Sequence, residues 1–287
     1  MTSLFRIITY IPFSPTDLSD CIVWLEADDL TGLNDDPVSV WESKGTQTFN
    51  FIQPNLTYQP TLKISTINGH NTIHFNGTNQ FLYNTDNLSL LKNKDNLTSY
   101  IVYKVTNAVQ QYVFMVSDGL AGSRYPRFGV YSSGNVFVTT AKQLDGDPDF
   151  ELFGNMIGNP NTFYMSNSEA SWQNDYIKSY IDGYFNGDEP TMDSVGPTSN
   201  TNSINILAGV GELNSPSTTL YPSSSLLPAS PSYYNGDIAE IVLFDRILSS
   251  DDKEKMNRYL TLKYGIYYMQ LAPSTSLYPA TDLYLPW

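Results

Sequence analysis

The chain has 287 residues, 41% of them hydrophobic, enough for one large β domain or two small ones with a sizeable core. Charged residues reach only 15%, and 15 Lys and Arg stand against 29 Asp and Glu, a formal net charge of -14. A surface that acidic repels phosphate backbones and anionic lipid, so neither nucleic acid nor a membrane is expected as a partner.

Residues 1–19 read as an extended arm, because Pro12 and Pro15 block regular pairing. The first ten residues lack a basic start followed by an apolar core, so no signal peptide is expected, and no run of about 18 apolar residues occurs. Cys21 is the only cysteine, which rules out an internal disulfide, and its place before Trp24 predicts a buried thiol. The body begins there. Short β-branched and aromatic runs follow at residues 72–75, 99–105, 112–116, 127–131, 135–139, 176–181 and 204–208, separated by Gly, Asn, Asp and Pro. Many short strands with turn signals between them predict a sandwich or barrel. In residues 99–105 both alternating sets carry apolar groups, Tyr100 and Val102 against Ile101, Tyr103 and Val105, as a central strand requires. Ser132-Ser133-Gly134-Asn135 and Asp182-Gly183 are hairpin turns by composition.

Residues 212–235 form a Ser/Pro-rich insertion, and residues 267–287 a second extended segment. Both hold more large apolar side chains than a disordered linker carries. Between them lies one helix. Ser249 is placed to cap it with Asp252 three residues on, Met256, Tyr259, Leu260 and Tyr264 make an apolar stripe, and Gly265 supplies the stop.

Four stretches in order carry a family resemblance. They are Val23-Trp24-Leu25-Glu26-Ala27-Asp28 with Val40-Trp41-Glu42; Ile67-Asn68-Gly69 with Ile73-His74-Phe75-Asn76-Gly77; Ser179-Tyr180-Ile181-Asp182-Gly183 with Ile204-Asn205-Ile206-Leu207-Ala208-Gly209; and Gly236-Asp237-Ile238-Ala239-Glu240-Ile241-Val242-Leu243-Phe244-Asp245-Arg246 running into the helix. Together they resemble the laminin-G-like jelly roll of the concanavalin-A-like lectin/glucanase superfamily. The resemblance implies an all-β, antiparallel jelly-roll β-sandwich over residues 20–266, with the short C-terminal helix over one end of the sandwich and extended arms at both termini. It implies sugar-binding, adhesive or phage-particle relatives without choosing among them.

Candidate chemistry is sparse. Glucanases of that superfamily carry E-x-D-x-x-E on one strand; here Glu26-Ala27-Asp28 opens the pattern, but Thr31 stands at the second glutamate. Glu240, the interior acid of the last strand, is expected to face solvent or pair locally. Asp145, Asp147 and Asp149 alternate as in a calcium loop, although Phe150 and Met156 occupy the positions where an EF-hand needs Gly and Glu. Calcium is the one cofactor the residues allow. His70, His74 and Cys21 offer no recognisable nucleophile–base motif. The chain is rich in tyrosine, 21 in all, and loop aromatics beside Asn and Asp suit sugar rings. Tyr125, Tyr164, Trp172, Tyr176 and Tyr184 lie near predicted turns and are the carbohydrate-binding candidates.

The sequence therefore predicts a non-enzymatic structural virion protein, a capsid decoration or tail component of a bacteriophage. It would bind other virion proteins or copies of itself through arm, insertion and tail, and host glycans through outer loops. The alternative is a carbohydrate-binding adhesion module of a cell surface, extracellular in place of virion-borne.

Overall fold

A computed structural model describes residues 13–84, 86–117, 119, 126–210 and 233–266. Sixteen strands lie among them. In chain order they are β1 (Cys21–Glu26), β2 (Val40–Glu42), β3 (Asn50–Ile52), β4 (Thr61–Ile67), β5 (His70–Asn76), β6 (Leu82–Asn84), β7 (Asn96–Val105) and β8 (Gln111–Val116), then β9 (Phe128–Ser133), β10 (Val136–Ala141), β11 (Phe150–Ile157), β12 (Phe163–Ser171), β13 (Tyr176–Ile181), β14 (Tyr184–Glu189), β15 (Ile206–Ala208) and β16 (Asn235–Phe244). One helix, α1 (Ser250–Tyr264), follows.

The strands form two antiparallel sheets. The first runs β14-β13-β12-β7-β16-β5-β4, with β1 continuing along the edge of β16 beyond β5; the second runs β11-β10-β9-β8-β15-β6-β3-β2. The order is that of a jelly-roll β-sandwich. Between the sheets lie Trp41, Phe49, Phe51, Phe75, Ile101, Tyr103, Phe114, Phe128, Trp172 and Ile241, all buried. Each such side chain contributes about 1.5–3 kcal/mol on leaving water.

β7 has the two-sided character its sequence predicts. Ile101 and Tyr103 enter the core between the sheets, while Tyr100 and Val102 face outward with Met165, Val242 and Phe244. Helix α1 covers that outward face with Met256, Leu260 and Tyr264. The helix thus lies across the outer face of the first sheet and not over one end of the sandwich, because β7 and β16 present apolar side chains on both faces. Its ends follow the sequence: the Ser249 side chain accepts from the Asp252 N–H at 3.2 Å, and Gly265 closes it at φ 66° with its N–H on the Thr261 carbonyl.

Residues 13–19, the described part of the expected arm, are not extended. Ser14 caps a single 3₁₀ turn at Pro15–Asp17, Leu18 is buried, and Phe13 packs edge-on against Tyr259 at 5.8 Å. Residues 1–12, most of the 212–235 insertion and the 267–287 tail lie outside the described residues.

Candidate functional site

At the end of the sandwich where β7 stops, two connections converge. The β9–β10 turn passes through Gly134 at φ 62° and Asn135. The β11–β12 connection, Gly158-Asn159-Pro160-Asn161, is tied to it by the Gly158 N–H on the Asn135 carbonyl at 2.8 Å, and to β7 by the Asn161 N–H on the Val105 carbonyl at 2.7 Å. They flank a shallow open cleft whose enclosed volume is only about 20 Å³, lined by Val105, Ser132, Gly134, Asn135, Phe137, Gly158, Asn159, Pro160 and Tyr164.

Aromatic packing shapes its wall. Tyr164 meets Phe137 edge-on at 4.9 Å, and Tyr103 backs Phe137 at 6.3 Å. The Tyr164 hydroxyl accepts from the Asn159 N–H at 2.7 Å, which fixes ring and loop together. A side chain at Gly158 would put its Cβ 2.6 Å from the Phe137 ring and 3.3 Å from the Tyr164 ring, so only glycine lets the loop approach. Behind Tyr164, the Met165 N–H donates to Asp182 Oδ1 at 2.8 Å in the β13–β14 turn. Burial pushes the Asp182 carboxyl up to about 6 in spite of that bond. The cleft therefore offers an apolar, partly aromatic wall and a rim of amide groups.

Of the sequence candidates, Tyr164 belongs to this cleft. Trp172 does not reach a surface: it is 0% exposed in the core, with its indole N–H on the Lys142 carbonyl at 2.9 Å. It does sit at a turn, directly after β12, but that turn carries it inward between the sheets. Tyr176 stands on the outer face of β13 with the Lys178 ammonium 4.6 Å over its ring. Tyr184, 40% exposed, lies on β14 beside Phe185, which is 55% exposed and packs edge-on against Tyr180. Neither lines the cleft. Tyr125 lies outside the described residues. Phe137, Asn135 and Asn159 were missed as candidates, since two segments far apart in sequence bring them together.

The acidic turn is engaged by protein groups. Asp145 takes the fully buried Arg127 through Nη2 at 2.6 Å and Nε at 3.1 Å, the Ser199 hydroxyl at 3.0 Å, and Thr201. Burial raises its carboxyl, but the Thr201 and Arg127 hydrogen bonds outweigh that and hold it well below the usual carboxylate range. Asp149 accepts from Thr140 and is raised by burial, and the carbonyl of Asp147 takes the Lys142 ammonium at 2.9 Å. Among the described residues no three His, Cys, Asp or Glu side chains are grouped to hold a metal ion.

Glu240 corrects its expectation. It is 1% exposed beneath α1 and gathers the Trp24 indole N–H at 2.8 Å, the Lys263 ammonium at 2.7 Å, and the hydroxyls of Tyr264 at 2.6 Å and Tyr259 at 3.0 Å. Glu26 stands directly opposite it across the β1–β16 pair, and Lys263 bridges the two carboxylates. Burial raises the Glu240 carboxyl, countered in part by Lys263. Two facing acids could share acid–base work, but a lysine between them under a helix makes this a lock and not a cleft. Each histidine is held by an aspartate, His70 by Asp28 at 2.6 Å and His74 by Asp237 at 3.1 Å. Cys21 is buried, and its thiol is pushed up to about 12, chiefly by burial. No helix among the described residues is long and apolar enough to cross a membrane.

No family model matches the sequence, and no curated protein matches it significantly. Solved structures do resemble the fold. Botulinum neurotoxin type C, which depends on two ganglioside molecules to enter cells, matches over 86% of this chain and 53% of its own, with 14% identity and a TM-score of 0.55. The receptor-binding domain of botulinum neurotoxin D matches over 87% and 54%, with 10% identity and a TM-score of 0.57. The binding domain of neurotoxin DC, solved with rat synaptotagmin II, matches over 88% and 53%, with 12% identity and a TM-score of 0.56. The chain spans about half the length of these structures. At such identities the likeness is one of fold: this chain is an antiparallel jelly-roll β-sandwich of the kind found in those toxin binding domains.

Proposed function

We propose that this chain is a carbohydrate-binding module that holds a sugar ring in the cleft beside Tyr164. One observation carries the reading: Tyr164 and Pro160 present apolar surface over the buried Phe137, with the exposed amides Asn135 and Asn159 beside them. A pyranose has the matching character, with C–H groups on its faces and hydroxyls round its edge. Aromatic and apolar groups cover the first, while the amides pair with the second. The toxin domains of the same fold lend support, since the type C toxin depends on a glycolipid. A module of this kind works outside a cell, on a cell or particle surface. The virion role expected from the sequence rests largely on arm, insertion and tail segments beyond the described residues, so the glycan reading takes precedence.

The test is an oligosaccharide array probed with purified protein, with bound glycans then titrated against wild type and Tyr164→Ala. Loss of the aromatic wall is expected to weaken binding about tenfold or more, the equivalent of about 1.4 kcal/mol. A blank array from folded protein would refute sugar binding. Undiminished binding by Tyr164→Ala would move the site elsewhere.

A further inference from the structure

We infer that the cleft selects uncharged sugars and disfavours those bearing a carboxylate, such as sialylated glycans; this rests on the reading that the cleft holds a sugar ring. Four observations support it. The described lining carries amides, a hydroxyl, aromatic rings and backbone, and no group that is ionised at neutral pH. The one charged residue adjoining that lining in sequence, Lys104, turns to the opposite face of the first sheet. There it pairs with Asp237 at 2.5 Å and sits 4.9 Å from the Phe163 ring. A carboxyl, Asp182, stands behind the aromatic wall, where it closes the turn bonded to Met165, the residue after Tyr164. The molecule as a whole carries a net charge of -14. A bound carboxylate would thus meet no counter-charge among the described lining residues of an acidic protein, whereas a neutral ring loses nothing by the same surroundings.

The preference sets this chain apart from the type C toxin, whose partners are gangliosides and so carry sialic acid. It also names Asn159 as a specificity residue, because it is an exposed, uncharged member of the lining at which a cation can be introduced.

The test is isothermal titration with matched pairs, lactose against 3′-sialyllactose and N-acetyllactosamine against its sialylated form, on wild type and Asn159→Lys. The neutral member of a pair is expected to bind about tenfold or more tightly to the wild type, and Asn159→Lys to narrow or reverse that ratio. Equal or tighter wild-type binding of the sialylated member overturns the inference while leaving sugar binding intact. Failure of both members of every pair, together with a blank array, overturns sugar binding itself. A ratio unmoved in Asn159→Lys, with its melting temperature unchanged, would refute the role given to Asn159.

Discussion

Asp182 shows how one residue reports its surroundings. Its carboxyl is raised to about 6 by burial, so the fold favours the protonated form. The stability this gives is fully present below the unfolded value of about 3.9 and is lost as pH rises through about 6. Asp182→Asn keeps an acceptor for the Met165 N–H and suits the φ of 51°. Chemical denaturation at pH 4 and pH 7.5 is expected to show the variant gaining on wild type by on the order of 1 kcal/mol across that range. An unchanged difference would mean that the carboxyl is well solvated. Arg127 makes the opposite case. Replacing it with Met leaves Asp145 charged, almost enclosed and without its counter-ion, a loss of about 3–5 kcal/mol. A melting temperature near wild type would contradict that pairing. Tyr103, whose hydroxyl is buried without a hydrogen-bond partner, should tolerate Phe with no loss of stability.

At the scale of elements, two polar devices join parts that apolar packing alone leaves loose. Beneath α1, Glu240 collects Trp24 from β1 and Tyr259, Lys263 and Tyr264 from the helix. Glu240→Ala strands a lysine, an indole N–H and two hydroxyls, and a loss of about 3 kcal/mol is expected in urea unfolding. Helix docking independent of Glu240 would show as a change well below 1 kcal/mol. At the free edges of the two sheets, the Asn186 amide on β14 accepts the Met156 N–H of β11 at 2.8 Å and reaches Ser179 at 3.2 Å. A Cβ at Gly154 would fall 1.8 Å from that amide nitrogen. Gly154→Ala should destabilise by about 1–3 kcal/mol, with Asn186→Ala partly relieving it in the double variant. Additive losses would mean that the two positions do not meet.

These elements also explain what could be read beforehand. The helix was legible because a cap, a stripe and a stop are all local. β13 was legible because its alternation is local as well. β12 was not: Ser166, Asn167, Ser168, Glu169 and Ser171 are buried by hydrogen bonds and a salt bridge instead of by apolarity, as in the 2.7 Å contact between the Thr139 and Ser168 hydroxyls. The three-residue strands β2, β3 and β6 are too short to show a period. Trp172 does lie at a turn, directly after β12, and nothing local says that the turn folds its indole into the core. The turns that make the cleft were visible as Gly134-Asn135 and Asn159-Pro160, but nothing local says that they meet.

For the whole molecule, a sandwich or barrel was readable from the many short runs and the turns between them, and the jelly roll from the family resemblance; the function was not, because a sandwich of this kind serves many purposes. The glycan reading proposed for this chain rests on one concave, uncharged, partly aromatic site among the described residues. That claim is tested most directly by hydrogen–deuterium exchange with and without a neutral oligosaccharide drawn from the array. Protection is expected at residues 132–137 and 158–164, with β13 and β14 unaffected. Protection centred on residues 176–189, or a bound glycan that leaves both turns unprotected, would contradict it.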